Sequence, residues 1–378
     1  MKKLLFIVIL IGLISSFNSC QEENQGYKIT ATLEGFSENS KVVLSETGSA
    51  KILDSVRIKD GMFQFNGKLE SSPMQLSIVI LPNDGNQPKF TSIFIGNENV
   101  TVQGSADDFP AKLNIKGSPH QNLKSALEEK TEPLYVAYDE EIQNMLELKN
   151  QDKWSSDLES TYYGETGILT KIDNEILTVT KEFIEKHINT HYGLMQLSGM
   201  KANLSKKYIV TQLKKIDPKL KSTKYAKTLE VYLNNDVLQK DDHFYNFKAE
   251  NQNGQIIEFS DFFEEEKYVL LEFYSPHCNW CKMALPNIKQ LAKAQVDILK
   301  VVTFNVDKDK EDWLKTNEKN NTGWSSLWDK DGRHSETYTK YNVQGTPTYY
   351  LFNKEGKVVN KWTGFDNTTI QSIEEALN

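Results

Sequence analysis

Arginine and cysteine are scarce in this sequence of 378 residues. Arginine occurs only as Arg57 and Arg333 among 44 basic residues, and the net charge is −8. Because arginine binds phosphates and guanine bases through paired hydrogen bonds, a negatively charged chain with so few arginines is poorly suited to nucleic acids. We therefore expect no nucleic-acid partner. The three cysteines are Cys20, Cys278 and Cys281.

A long hydrophobic run is missing at the N-terminus. The apolar stretch from Leu4 to Ile14 has about 11 residues, whereas a membrane-spanning helix needs about 20. The stretch follows Lys2 and Lys3 and precedes small and polar residues. This pattern predicts a secretory signal peptide over residues 1–19.

Ser19-Cys20 resembles a bacterial lipoprotein cleavage site, at which the cysteine receives the lipid. The resemblance implies that Cys20 anchors the chain to a membrane through a tether of residues 20–26. The expected location is the cell envelope of a Gram-negative bacterium, on the periplasmic side, although the acidic residues after Cys20 resemble a surface-export signal. An ordinary signal peptide with an unmodified cysteine is the alternative. Exported proteins normally use cysteines in structural disulfides, and a lipidated Cys20 leaves only Cys278 and Cys281, which favours a redox role for that pair.

The hydrophobic pattern divides the remaining chain into three regions. Residues 27–117 show short alternating runs separated by turn residues, which predicts an all-β antiparallel sandwich or barrel with a hairpin turn at Asp60-Gly61. Residues 118–240 have apolar positions every three or four residues, which predicts three to five helices, the first starting at Ser118-Pro119. Residues 241–378 alternate strands and helices. The predicted fold class is a multidomain chain with a β domain, a helical region and an α/β domain.

Two histidines of the helical region, His187 and His191, are four residues apart. On one helix this spacing would allow a two-histidine metal site. However, Ile188 stands where a zinc-protease motif needs glutamate, and Asn189-Thr190 has the pattern of a helix end followed by a cap. We expect a structural role for both histidines and no bound metal.

The main chemical signal is a Cys-x-x-Cys pair, Cys278 and Cys281, at the start of a predicted helix. The apolar run Val269–Tyr274 predicts a strand before it, and Pro276 lies in the turn. A helix N-terminus carries unpaired N–H groups and a partial positive charge, so a thiolate there is stabilised. We expect Cys278 to be the attacking thiol with a lowered pKa, and Cys281, one turn further on, to resolve the mixed disulfide.

This stretch resembles the active site of the ResA/TlpA-like thiol-disulfide oxidoreductases, which have the thioredoxin fold. The resemblance covers residues 240–378. Glu272 stands where the family keeps a buried acid, and Pro286 where it kinks the active-site helix. Thr346-Pro347 stands where the family has a cis-proline beside the disulfide. Residues 27–117 resemble the all-β domain of unknown function that often precedes thioredoxin domains in bacterial lipoproteins, and we interpret them as a binding or spacer module.

The residues around the cysteines have expected roles. Glu272 lies in an apolar strand, where burial raises a carboxyl pKa and lets it accept the proton of the resolving thiol, unless the alternation places it on a solvated face. Thr346 and Pro347 are expected to pair with an extended substrate segment. His277 and Trp280 flank the attacking thiol and complete the expected substrate-binding set.

Two other interpretations of the cysteine pair are less well supported. A zinc half-site would need two further ligands, and the sequence has no second cysteine pair. A peroxiredoxin motif would have a proline where this chain has Leu271, and an arginine later in the fold, for which only Arg333 is available.

The expected function is that of an extracytoplasmic enzyme that reduces or isomerises disulfides of exported proteins, as in cytochrome c biogenesis. Its redox group is the Cys278–Cys281 disulfide, with no other cofactor. The expected partners are protein dithiols and disulfides, a membrane redox protein as electron donor, and the membrane itself. The alternative is a lipid-anchored binding or adaptor protein, in which the β domain captures a ligand or envelope partner and the thioredoxin domain is a scaffold.

Overall fold

A computed structural model describes residues 26–48, 51–151, 153–263, 267–366 and 368–377. The predicted signal peptide and the lipidation candidate Cys20 lie outside the described residues. Among the described residues, no helix combines the length and apolar character needed to cross a bilayer.

The N-terminal region folds into two four-stranded sheets, with strand orders β4-β1-β7-β8 and β3-β2-β5-β6. Apolar residues of both sheets alternate inward and form one core, which confirms the predicted β architecture. The strands are β1 (Tyr27–Glu34), β2 (Lys41–Glu46), β3 (Ile52–Arg57), β4 (Met62–Gly67), β5 (Met74–Leu81), β6 (Lys89–Ile95), β7 (Asn99–Ser105) and β8 (Asn114–Lys116).

Two details of this region differ from the prediction. First, β1 and β7 pair in parallel, so the region is not purely antiparallel. Second, Asp60 and Gly61 do form a tight turn with positive φ values, but β3 and β4 on either side belong to different sheets. The alternation of apolar residues determines which face of a strand is buried, and it carries no information about which strand lies beside it or in which direction.

The middle region has six α-helices in its described residues, more than the three to five predicted. The first begins as predicted, because the Ser118 hydroxyl accepts a hydrogen bond from the backbone N–H of Gln121 and Pro119 occupies the first turn. The helices are α1 (Pro119–Asn150), α2 (Ser156–Tyr163), α3 (Ile168–His187), α4 (His191–Gly199), α5 (Lys206–Leu213) and α6 (Lys224–Asn234).

The C-terminal domain is built on a seven-stranded sheet of order β10-β9-β13-β12-β11-β14-β15, with helices on its faces. The central strand β11 is parallel to β12 and antiparallel to β14, and apolar clusters cover the sheet on both sides. The strands are β9 (Lys248–Asn251), β10 (Ile256–Glu258), β11 (Tyr268–Tyr274), β12 (Leu299–Asn305), β13 (Ser325–Trp328), β14 (Thr348–Phe352) and β15 (Val358–Thr363). The helices are α7 (Asn279–Ala294), α8 (Lys310–Asn320), α9 (Glu336–Lys340) and α10 (Thr369–Leu377). The predicted α/β domain is thereby confirmed.

One carboxylate joins all three parts of the chain. Glu46, at the end of β2, lies 3.2 Å from the Nζ atom of Lys308 in the C-terminal domain and 3.9 Å from that of Lys224 on α6. Its side chain is 17% exposed, so these ion pairs are partly shielded from solvent. The same contact connects the β domain to the segment that follows β12.

Candidate active site

Cys278 is the N-cap of α7, at the end of the turn that follows β11. Its Sγ atom accepts a hydrogen bond from the backbone N–H of Cys281 over 3.2 Å. Cys278 is partly exposed, whereas Cys281 is buried, and both are free thiols. The predicted strand, turn and helix are therefore present, with the more accessible thiol at the helix N-terminus, where a thiolate is stabilised.

The Cys278 thiol also contacts the loop that precedes β14. It donates a hydrogen bond over 3.2 Å to the backbone carbonyl of Thr346. The Thr346–Pro347 peptide bond is cis, as the family resemblance implies. The cysteine and this loop thus form one continuous surface, although 68 residues separate Cys278 from Thr346 along the chain.

Glu272 is buried in β11, with 4% of its surface exposed. Burial raises the pKa of its carboxyl to about 8. Burial also raises the pKa of the Cys281 thiol, and the nearby charge of Glu272 adds to that effect. The predicted burial and raised pKa of Glu272 are confirmed, and the solvated-face alternative is wrong because β11 is covered on both sides.

Glu272 and Cys281 line the same cavity, which has a volume of about 530 Å³. The cavity extends between α7 and α8 to the exposed side chains of Lys282 and Lys319. The cavity therefore connects the buried carboxyl and the buried thiol with exposed side chains of α7 and α8, and Cys278 is not among the residues that line it.

The turn before Cys278 is held by a buried carboxylate. The Ser275 hydroxyl donates a hydrogen bond to Asp307 over 2.5 Å and accepts one from the backbone N–H of His277 over 3.1 Å. Asp307 is 3% exposed and lies 3.7 Å from the guanidinium of Arg333. Lys308 follows Asp307 directly in the chain. The ion pair between Lys308 and Glu46 of the β domain therefore lies close to the carboxylate that holds the turn before Cys278.

Comparison with known proteins agrees with this geometry. Residues 241–361 match the AhpC/TSA family, and residues 27–123 match a domain of unknown function, DUF4369. The thiol-disulfide oxidoreductase ResA of Bacillus subtilis (strain 168) is 30% identical over 134 residues, which cover 35% of this chain and 71% of ResA. The chain belongs to the ResA-like thiol-disulfide oxidoreductases.

Two further proteins similar to this ResA-like chain are a plant protein disulfide isomerase and a bacterial protein of known structure. Protein disulfide isomerase-like 1-1 of Arabidopsis thaliana is 29% identical over 107 residues, and the chain spans only 17% of that relative. The crystal structure of a putative thiol:disulfide interchange protein DsbE from Chlorobium tepidum is 25% identical, with a TM-score of 0.34, and the match covers 37% of this chain and 99% of that one.

The remaining predicted residues of this ResA-like protein lie around Cys278. His277 is half-exposed, and its Nε2 atom lies 3.0 Å from the Asp312 carboxylate on α8. Trp280 is 56% exposed, and Met283, one turn further along α7, is 57% exposed. These two side chains form an exposed apolar surface on α7, next to Cys278.

The sequence alone did not identify several residues that support the site. Asp307 holds the turn, Asp312 holds His277, and Trp313 packs against Cys281 together with Tyr274. Asp307, Asp312 and Trp313 are all distant from the two cysteines in the sequence. Tyr349, two residues after Pro347, was also missed, although its position in a buried strand directly after the cis-proline was a possible signal.

The two histidines of the helical region, His187 and His191, lie on different helices and not one turn apart on the same helix. His187 ends α3 and His191 begins α4, with Thr190 as the cap, as the sequence indicated. His191 lies beside His120 of α1, with ring centroids 6.1 Å apart. Within the described residues, no group of three or more His, Cys, Asp or Glu side chains is arranged to hold a metal ion.

Proposed function

We propose that the protein is an extracytoplasmic enzyme that reduces or isomerises disulfides of exported proteins through the Cys278–Cys281 dithiol. The observation that supports this most directly is the Cys278 thiol, which caps α7 and touches the Thr346 carbonyl beside the cis-proline. A thiol at a helix N-terminus, next to backbone groups that an extended peptide can pair with, is suited to attack a protein disulfide.

The proposed reaction transfers two electrons. The Cys278 thiolate attacks one sulfur of the substrate disulfide, a mixed disulfide forms, and the other substrate sulfur leaves as a thiolate and takes up a proton. The Cys281 thiol then gives its proton to ionised Glu272, and its thiolate attacks the Cys278 sulfur. The Cys278–Cys281 disulfide forms, the second substrate thiolate leaves, and the substrate is reduced while the enzyme is oxidised.

Substrate binding and regeneration complete the proposal. Thr346 and Pro347 pair with an extended substrate segment, while Trp280 and His277 contact it beside the disulfide. The redox pair needs no additional cofactor. Each turnover leaves the pair oxidised, so a dithiol of a membrane redox protein must reduce it again. A lipid on Cys20 would hold the enzyme at the envelope membrane of a Gram-negative bacterium, on the periplasmic side, near that donor.

Reduction of insulin by the full mature chain, driven by a small dithiol, tests the enzymatic proposal. Cys278→Ser should abolish the reaction, because no attacking thiolate remains. Cys281→Ser should accumulate mixed disulfides that non-reducing gels detect, and the double variant should trap nothing. Full activity in both single variants would contradict the proposal and favour the binding-protein alternative.

The reduction potential of the pair tests the direction of electron flow. We expect a value nearer that of thioredoxin, about −270 mV, than that of a strong oxidant, about −120 mV. Equilibration of the full chain with defined thiol buffers measures it. A potential near the oxidant value would exclude the reductase direction and leave isomerisation or oxidation of substrate thiols, with Trp280 and His277 as the first residues to exchange.

A further inference from the structure

Tyr349 is a fully buried tyrosine on the strand next to Glu272. It lies in β14, has no exposed surface, and is the direct cross-strand partner of Glu272 in β11. Side chains of paired residues on antiparallel strands lie on the same face of the sheet, with Cβ atoms about 4.5–5.5 Å apart. That face is covered by α7, the helix that carries Cys281.

The Tyr349 hydroxyl has no ordinary hydrogen-bond partner within the described part of the chain. It is nevertheless close enough to the Glu272 carboxyl to lower the pKa of that group, against the larger raising effect of burial. The strand register thus places Tyr349 beside Glu272 and leaves the Tyr349 hydroxyl without a hydrogen-bond partner. A buried hydroxyl without a partner is costly, so its presence next to an ionisable pair requires an explanation.

Burial, followed by the negative charge of Glu272 and Cys281, raises the pKa of Tyr349, so its hydroxyl keeps its proton and remains a donor. The neighbouring tyrosine of the site is different. Tyr274, on the same strand as Glu272, already has its hydroxyl 3.3 Å from both Ser326 and Asn317. Tyr349 is thus the tyrosine whose donor is available to Glu272.

We propose that Tyr349 is a positioning residue whose hydroxyl donates a hydrogen bond to the ionised carboxylate of Glu272 and so keeps it ready to accept the Cys281 proton. The inference rests on the proposed function, because it concerns the resolving step of that reaction. Tyr349 itself neither gains nor loses a proton. The proton moves from Cys281 to Glu272, the Cys281 thiolate forms the bond to Cys278, and the substrate thiolate leaves.

Other charged groups also face Glu272, and their influence on its titration has to be distinguished from that of Tyr349. Cys278 and Cys281 approach from α7, and the β12 neighbour Thr303 does not titrate. Asp307, after β12, acts on the nearby Tyr274. Further out, the cavity wall carries charged or titratable groups, which are Lys282, Lys319, His277 and Asp312. A substitution that removes only the Tyr349 hydroxyl leaves all of these unchanged.

The experiment compares Tyr349→Phe with Tyr350→Phe in the full chain. Tyr350 is the next residue of β14, and its hydroxyl donates to the Tyr341 carbonyl over 2.6 Å, within the core on the opposite face of the sheet. Single-turnover mixing of the reduced enzyme with a disulfide substrate gives the rate of mixed-disulfide resolution across pH 5–10. We expect Tyr349→Phe to slow resolution near pH 7 by roughly tenfold, the effect of one hydrogen bond to a charged group, and to approach the wild-type rate above pH 9. Tyr350→Phe should retain the wild-type midpoint.

A second readout does not depend on catalysis. The carboxyl stretching band of Glu272, assigned by its loss in Glu272→Gln, should titrate at higher pH in Tyr349→Phe than in the wild type. An unchanged midpoint in both measurements would overturn the inference, as would a loss of thermal stability with an unchanged pH profile, which is the result expected of a purely structural tyrosine. If the wild type reduces no disulfide but the Glu272 titration still moves in Tyr349→Phe, the proposed reaction fails while the contact between Tyr349 and Glu272 stands.

Discussion

The Cys278 thiol donates a hydrogen bond to the carbonyl oxygen of Thr346 over 3.2 Å. The Cys278 sulfur therefore lies directly beside the backbone group to which, under the proposed function, a substrate strand would bind. A peptide that pairs with this loop would bring its own disulfide close to Cys278.

Trp280 should contribute to substrate binding more than to the redox chemistry. We expect Trp280→Ala to raise KM for insulin roughly tenfold, about 1.4 kcal/mol, because a substrate would cover its exposed ring beside Cys278. The reaction with a small disulfide such as dithiobis(nitrobenzoate) should change little. Val296→Ala, at a similarly exposed apolar residue just beyond the other end of α7, is the matched control and should leave both reactions unchanged. An equal loss with both substrates would place Trp280 in the chemical step instead.

Ser275→Ala should destabilise the active-site turn. The substitution removes the hydroxyl that donates to the buried Asp307 carboxylate, which should cost about 1–3 kcal/mol of unfolding free energy. Urea unfolding followed by tryptophan fluorescence reports the C-terminal domain, because every tryptophan except Trp154 lies there. In Ser275→Ala the buried Asp307 carboxylate loses its hydroxyl donor and keeps Arg333 at 3.7 Å, so the double variant Ser275→Ala/Asp307→Asn, which removes that charge, should recover part of the loss. No recovery would mean that the Asp307 charge is not the cause.

Glu272→Gln should make stability less dependent on pH. The pKa of Glu272 is raised from 4.5 to about 8, so the folded protein binds more protons than the unfolded chain in this window and loses stability as the pH rises through it. Glutamine cannot ionise, and at pH 8.5 the variant should exceed the wild type by on the order of 3–5 kcal/mol.

Near pH 4 the wild type and Glu272→Gln should be similar, because the glutamate is then protonated in both states. Urea unfolding of the reduced proteins at several pH values measures the difference. Glu129→Gln, at an exposed position of α1, is the control and should follow the wild type at every pH. A wild-type stability that rises between pH 5 and 8 relative to Glu272→Gln would contradict the raised pKa.

Glu46→Gln should weaken the contact between the three parts of the chain. It removes ion pairs to Lys308 and Lys224, whose side chains are about one-third exposed, so the expected loss is about 1 kcal/mol or less. Thermal unfolding at low and high salt measures it, and the difference from the wild type should shrink in high salt because screening already weakens the wild-type pairs. Glu34→Gln, at an exposed position of β1, is the control. A difference that persists unchanged in high salt would show that Glu46 does not act through these pairs.

The parts of the site that the sequence predicted are those determined by neighbouring residues. A β-branched and aromatic run, a proline turn and a cysteine at a helix start define the β11–Cys278–α7 unit locally. Glu272 could be predicted as buried because it interrupts an apolar strand. The loop at Pro347 followed from the family resemblance, because nothing in its local sequence indicates that it lies beside Cys278.

The parts that the sequence did not predict depend on tertiary contacts. Asp307 and Asp312 look like ordinary polar residues around a loop and a helix start, and only the parallel pairing of β11 with β12 brings them to the active-site turn. The role proposed for Tyr349 depends on the strand register, which pairs it with Glu272 and which the sequence alone does not specify. In the same way, the parallel alignment of β1 and β7 arises from the path of the chain and not from its hydrophobic period.

The cavity between α7 and α8 has a consequence for the order of events during turnover. Its wall includes Glu272, Cys281, His277 and Lys319, whereas Cys278, Trp280 and Thr346 do not line it. Under the proposed function, a protein substrate on the Cys278 surface would cover the part of the wall at His277 and leave the part at Lys319 open. Electrons would pass to the substrate on one side of α7 while Glu272 returns its proton to water on the other. The carboxylate can then be restored before the reduced product dissociates.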